Sequence, residues 1–172
     1  SGLFDTLQTS FNLVDQHART ELFSLARAKG MGIIAKRPIA RAVWGAQRVP
    51  LHGLIRQRLG AIRHHIHRYS KLPHLHRDLF RVMQPNSEYF DRAYNMSLAG
   101  SIPDAPEDPI LLALGFVLAH PEVDTAIVGT RSPSHILANI DRVEKKLPIA
   151  TKVVDELHDR FSQVGKSWMQ VT

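Results

Sequence analysis

The segment AIVGTRSPSHILANI, residues 126–140, carries the residue types best suited to bind a ligand. An apolar strand pattern ends at Gly129, the Arg131 guanidinium lies between two hydroxyl side chains, and a helix pattern follows. Free N–H groups at a helix N-terminus attract anions, and a guanidinium pairs with phosphate through two parallel hydrogen bonds. The turn therefore fits a phosphate group, although the same residues also fit a capped strand-to-helix turn with a solvated arginine.

A second concentration of reactive side chains is the histidine-rich stretch RHHIHRYSKLPHLHR. Imidazole is a good zinc ligand, and His64 and His67 could share one helix face. His74 and His76 are two residues apart and would diverge on a helix, and the stretch contains no HExxH pattern. We therefore expect no metal site and instead a basic insertion in a substrate loop that selects acidic substrates.

The composition is that of one globular domain, with 172 residues, 44% hydrophobic and 22% charged, and a formal net charge of +6. The basic excess lies between Gly45 and Pro85, where Asp78 is the single acid, so nucleic-acid binding is an alternative, but no recognisable nucleic-acid-binding motif is present. No apolar run reaches the about 18 residues of a membrane helix. The lack of cysteine is compatible with a cytoplasmic location, which we expect.

The first half of the chain must position these residues through two strands. FDTLQTSFNLV and MGIIAKRPIA have strand character, with Pro38 ending the second strand, and between them TELFSLARAKG predicts a helix ending near Gly30. A long crossover follows.

The second half begins with DPILLALGFVLAHP, which predicts a buried helix capped by Asp108 and ended by Pro121. VDTAIVG predicts a third strand covered on both faces, and Ser132 is expected to cap the next helix, PSHILANIDRVEKK. TKVVDELHDRFSQVG predicts a last helix with an apolar stripe from Val153 to Val164. This order predicts an α/β fold with a parallel sheet, for which three strands are too few.

Four separated blocks resemble, in the family's order, the last part of the aldo-keto reductases: GLFDTLQTSFNLVDQ, GMGIIAKRPIARAVWG, LALGFVLAHPEVDTAIVGTRSPSHILANI and FSQVGKSWMQVT. The resemblance does not extend to roughly residues 46–88. It implies an eight-stranded TIM barrel in which the three strands are the sixth, seventh and eighth. Residues 1–172 would then be a single partial domain, with a basic, His-rich helical insertion and crossover at residues 46–100.

The resemblance also implies an NADP(H) site at the carboxyl ends of the three strands. Gln8 would hydrogen-bond the nicotinamide carboxamide, although a glutamine satisfied by its neighbours inside the barrel is the alternative. Lys36 stands where many relatives have an aromatic ring over the nicotinamide, and Arg37 with the backbone of Pro38, Ile39 and Ala40 would approach the pyrophosphate. The residues around the adenosine ribose, its 2′-phosphate and the adenine would be Gly129, Thr130, Arg131, His135 and Asn139.

The catalytic groups of the family are not expected in this chain. The Asp, Tyr, Lys and His of these enzymes lie in the first half of the barrel, and Tyr69, Tyr89 and Tyr94 all lie in the crossover here. The chain would thus bind NADP(H) without catalysing hydride transfer to a small carbonyl substrate by itself. Its partner would be the missing barrel half or a second copy. The alternative is a non-catalytic half-barrel that self-associates, or binds nucleotide or nucleic acid.

Overall fold

The computed structural model describes residues 3–44 and 88–170. The first range contains β1 (Thr6–Ser10), α1 (His17–Thr20), α2 (Leu22–Ala28), β2 (Gly32–Lys36) and a 3-10 turn (Ala40–Ala42). The second contains α3 (Glu88–Ser97), α4 (Pro109–Leu118), β3 (Thr125–Ile127), α5 (Pro133–Lys146) and α6 (Thr151–Val164). The histidine-rich stretch and Tyr69 lie outside these ranges, whereas the end of the expected insertion is the helix α3.

The three strands form one parallel sheet in the order β1-β2-β3. Ser10 pairs with Lys36, and Lys36 pairs with Ile127, so the carboxyl ends of all three strands lie in one row. The predicted α/β fold with parallel strand-helix units is confirmed. The loops that follow the strands therefore leave the sheet at the same edge.

The two faces of the sheet differ in burial because successive side chains of a strand point to opposite sides. Thr9 and Ala35 are buried on the face that the helices cover. Gln8 and Ile127, on the other face, are exposed, and no element of residues 3–44 or 88–170 covers them. The prediction that the third strand is covered on both faces is thus wrong for the described part of the chain.

Helix α4 is the most buried helix of the described residues, since every side chain from Leu111 to Val117 is buried. Asp108 Oδ1 accepts hydrogen bonds from the N–H groups of Ile110 (2.9 Å) and Leu111 (3.2 Å), which confirms the predicted cap. The helix ends at Leu118 with Ala119 as its C-cap, and Pro121 follows two residues later, where a proline prevents the helix from continuing.

The other predicted helices also form. Gly30, at a φ of +66°, follows the end of α2, where a left-handed residue is needed. The stripe of α6 is buried at Val153, Val154, Leu157 and Phe161, whereas Val164 is exposed.

A chain of polar side chains joins α4 to α6 and to the loop after β1. The Nε2 atoms of His120 and His158 are 3.1 Å apart, and His158 Nδ1 lies 2.8 Å from Gln16 Oε1. Gln16 Nε2 in turn donates to the carbonyl groups of Leu13 (2.9 Å) and Leu157 (3.1 Å). Burial, together with the positive charge of Arg19, lowers the pKa of His158 to about 4. These neutral rings tie together elements that are distant in sequence.

Candidate functional site

The loop after β2 carries four of the predicted binding residues and has an unusual backbone. Arg37 and Ala40 have φ values of +59° and +44°, a region that residues with a Cβ rarely adopt. Arg37 is exposed and Ile39 is half-buried, whereas Pro38 and Ala40 are buried. The Arg37 side chain is thus at the surface of the carboxyl edge, and the rest of the loop is packed.

Asn12 holds this loop, although it is not among the residues that the sequence predicts for the site. Asn12 is completely buried, and its Nδ2 donates to the Arg37 carbonyl (3.2 Å) while its Oδ1 accepts from the Val14 N–H (3.0 Å). The same amide therefore orders the loops after β1 and β2. The only signal in the sequence is a lone polar residue within the apolar run FNLV.

The loop after β3 brings Thr130 and His135 together. Thr130 Oγ1 accepts a hydrogen bond from the Ser132 N–H (3.2 Å) and lies 3.3 Å from His135 Nδ1. Gly129 and Arg131 are exposed, and a Cβ added to Gly129 would meet no atom within 4 Å. The turn therefore has open space beside it at the N-terminus of α5.

Ser132 occupies the N-cap position of α5, but the prediction that it caps the helix is wrong for its side chain. Its hydroxyl makes no capping bond to the first turn and lies 2.7 Å from the Ser134 hydroxyl. The Ser132 N–H donates to the Thr130 hydroxyl, which closes a tight turn with the backbone N–H two residues later.

Asn139 lies one helical turn beyond His135, and Arg142 links its side chain to Asp108 at the start of α4. Its Oδ1 accepts from Arg142 Nη1 (3.3 Å), and Arg142 Nε donates to Asp108 Oδ2 (2.7 Å). Burial raises the pKa of Asp108, but hydrogen bonds from Arg142 and from the Leu111 and Ile110 N–H groups outweigh it, so the pKa lies below its ordinary value. Asp108 therefore stays ionised and fixes Arg142.

Gln8 and Lys36 lie on the open face of the sheet, close to the same edge. Gln8 pairs with Ile34, and Lys36 is two residues further along β2. Gln8 is exposed, since no described element covers this face, and its expected hydrogen bond to the nicotinamide carboxamide stays a prediction. The register therefore places both side chains on one face of the sheet, near the edge from which the loops after β2 and β3 leave.

The last residues of the described chain cover the end of β1, a contact that the sequence does not predict. Gln170 Nε2 donates to Thr9 Oγ1 (2.6 Å) and to the Ser10 carbonyl (3.3 Å). The buried Arg92 donates to the Met169 carbonyl, and its guanidinium lies 5.1 Å from the centre of the Trp168 ring. The Arg92 contact spans 77 residues of sequence, and the Gln170 contacts span 160 and 161. No local sequence pattern predicts contacts at such separations.

The described ranges also bear on metal binding and membrane insertion. No three residues among His, Asp and Glu of residues 3–44 and 88–170 are grouped as metal ligands. Within the same residues, no helix has the length and apolar character needed to cross a membrane.

Comparisons with known proteins give one family. The model of the Aldo/keto reductase family matches residues 3–159. Two solved structures of aldo-keto reductase AKR11C1 from Bacillus halodurans are similar to the chain, each with a TM-score of 0.56 and 18% identity. The holo form is matched over 90% of this chain and 42% of that chain, and the apo form over 91% and 43%. This likeness shows the fold, and the chain spans less than half of that protein. None of the curated proteins matches.

Proposed function

Because the chain belongs to the aldo/keto reductase family, we propose that it forms the NADP(H)-binding, C-terminal part of an oxidoreductase that reduces aldehydes or ketones. The observation that carries the proposal is the register of the sheet. It aligns Lys36 with Ile127, so the loop of residues 37–40 and the turn of residues 129–131 leave from one edge. In α/β barrels, ligands bind at the carboxyl ends of the strands.

The groups at this edge have the chemistry that such a cofactor requires. Arg131 is exposed beside the open space at Gly129, where a 2′-phosphate could accept its paired hydrogen bonds. Thr130, His135 and Asn139 would surround the ribose and the adenine. Arg37 and the backbone of Pro38, Ile39 and Ala40 would approach the pyrophosphate, and Lys36 and Gln8 on the open face would meet the nicotinamide.

The nicotinamide, when bound, supplies the hydride, and this chain holds it in place. We assign no catalytic residue to the 172 residues, so the proton for the carbonyl oxygen would come from a tyrosine outside this chain. The chain alone is then inactive as a reductase. We propose a cytoplasmic location for the whole enzyme, since such a cofactor is a soluble metabolite and the chain contains no cysteine.

The partner would be the complementary part of the barrel or a second copy. The outer edges of β1 and β3 pair with no strand of the described residues, and Leu3 and Phe4 before β1 are 80% and 70% exposed. Unpaired edges beside apolar side chains favour pairing with a further strand. Sedimentation at micromolar concentration should show a dimer of the chain expressed alone, and a monomer would contradict self-association.

The cofactor assignment is tested by calorimetric titration of the chain with NADPH and NADH. Replacing Arg131→Met should weaken NADPH binding about tenfold to a hundredfold, since charge-assisted hydrogen bonds contribute about 1.5–3 kcal/mol. NADH lacks the 2′-phosphate and serves as the matched control, so its affinity should stay unchanged. Equal losses for both cofactors would refute the role of Arg131, and no binding by the wild-type chain would refute the proposed function.

A further inference from the structure

Asp108 connects the most buried described helix to the edge of the candidate site. One carboxylate oxygen, Oδ1, accepts from the N–H groups that begin α4, and the other, Oδ2, accepts from Arg142 Nε. Both oxygens are therefore engaged, and the carboxylate cannot rotate without losing one set of bonds. This makes Asp108 a fixed anchor at the end of a buried helix.

Arg142 connects Asp108 to α5. Its guanidinium is planar, so once Nε is bound to Asp108 the direction of Nη1 is set as well. Nη1 donates to Asn139 Oδ1 at 3.3 Å, one helical turn earlier. Asn139 is half-buried on a helix that has no buried residue, so packing constrains its side chain only in part. The hydrogen bond from Arg142 fixes the direction of its Oδ1.

An asparagine whose oxygen is held presents its Nδ2 hydrogens in a defined direction. Two N–H donors match the unprotonated ring nitrogens of a purine, which are acceptors. Asn139 also lies on the same face of α5 as His135, which contacts the Thr130 turn. Asn139 thus lies on the face of α5 beside which the adenosine end of a dinucleotide would bind.

We propose that Arg142, anchored by Asp108, is a positioning residue that orients the Asn139 amide towards the purine ring of the bound cofactor. The inference rests on the proposed function, because it needs an adenosine group at the Thr130 turn. Arg142 itself touches no cofactor atom. Its effect on binding passes entirely through Asn139.

A double-mutant cycle tests this, with adenosine 2′,5′-bisphosphate as the calorimetric probe for the adenosine half of the site. Arg142→Met and Asn139→Ala should each weaken binding about twofold to tenfold, the size of one net hydrogen bond. In the Asn139→Ala background, Arg142→Met should have no further effect. Lys145→Met, which breaks the exposed Lys145–Asp141 pair on the same helix, is the matched control and should bind like the wild type.

Arg142→Lys separates positioning from stability. A lysine keeps an ion pair with Asp108 but cannot bind Asp108 and Asn139 through one rigid plane. It should retain the melting temperature of the wild type and bind the probe as weakly as Arg142→Met. Additive losses in the cycle, or full binding by Arg142→Lys, would overturn the inference. A wild-type chain that fails to bind the probe would overturn the proposed function itself.

Discussion

At the scale of single residues, Asn12 links two loops beside the candidate site through one buried side chain. Its amide joins the loop after β1 to the loop after β2, where Arg37 and Ala40 adopt left-handed backbone conformations. Such conformations persist only where surrounding contacts enforce them. Asn12 supplies one of these contacts from inside the protein.

Replacing Asn12→Ala should therefore lower the free energy of unfolding by about 1–3 kcal/mol, because two buried hydrogen bonds are lost. Asn12→Asp should cost more, since it turns a carboxylate oxygen towards the Arg37 carbonyl. Asn95→Ala, at an exposed position of α3, is the control and should change stability by less than about 0.5 kcal/mol. Urea denaturation measures all three. Equal effects of Asn12→Ala and Asn95→Ala would contradict this role.

The pair formed by the buried His120 and the half-buried His158 makes stability depend on pH. The pKa of His158 is lowered from 6.5 to about 4 in the folded chain, so between these pH values the unfolded state binds the proton more readily. Stability is then complete above about pH 6.5 and declines as the pH falls towards about 4. His158→Asn should reduce this decline, leaving the part due to His120, whose pKa burial also lowers. Denaturation curves at several pH values test this, and an unchanged slope in the variant would argue against it.

The sequence predicts the residues of a site when their own types carry the chemistry. Gly129, Thr130 and Arg131 could be chosen because a glycine, a hydroxyl and a guanidinium before a helix suit an anion. Asn12 and Arg142 could not, because their roles depend on partners 25 and 34 positions away. Gln8 is predicted for the site only through the family resemblance, because an amide in an apolar strand does not by itself specify a ligand.

At the scale of elements, α4 is packed so closely that its glycine has no room for a methyl group. A Cβ on Gly115 would lie 2.5 Å from Ile149 Cγ2 and 3.1 Å from Leu147 Cδ2. The segment before α6 therefore rests directly on the α4 backbone. This close approach, rather than any turn, explains the glycine inside the helix.

Gly115→Ala should destabilise the chain by about 1–3 kcal/mol through overpacking, although alanine is the better helix former. Gly129→Ala is the matched control, since a Cβ there meets nothing within 4 Å, and its melting temperature should equal that of the wild type. Thermal unfolding of both variants decides the point. A Gly115→Ala variant that is as stable as the control would show that Ile149 moves aside without cost.

The sequence predicts the helices more directly than it predicts which faces of the strands are covered. Helix α4 is predicted by Asp108 followed by Pro109, and α6 by the spacing of Val153, Leu157 and Phe161. Each pattern lies within a single segment. The burial of β3 depends on what covers its second face, and its three residues, Thr125–Ile127, are mostly exposed. Local pattern defines a helix, whereas tertiary neighbours define the faces of a strand.

At the scale of the whole molecule, the described residues leave apolar side chains exposed on α5 and in a groove beside α2. Ile136, Ile140 and Val143, spaced along one face of α5, are 50%, 47% and 36% exposed. A groove of about 200 Å³ is lined by Leu7, Leu22, Leu25, Ala26, Lys29 and Met31. Exposed apolar surface of this kind agrees with the proposed complementary part of the barrel.

The position of β2 between two neighbours has a consequence for the exchange of backbone amide hydrogens with solvent deuterium. Strand β2 bonds to a strand on each side, whereas β1 and β3 each bond on one side within the described residues. The amides of β2 become labelled late, because those on either side of the strand have a hydrogen-bond acceptor in a neighbouring element, and the outward amides of β1 and β3 are labelled early. Slow labelling of the outer amides would then report, strand by strand, which edge a partner has covered.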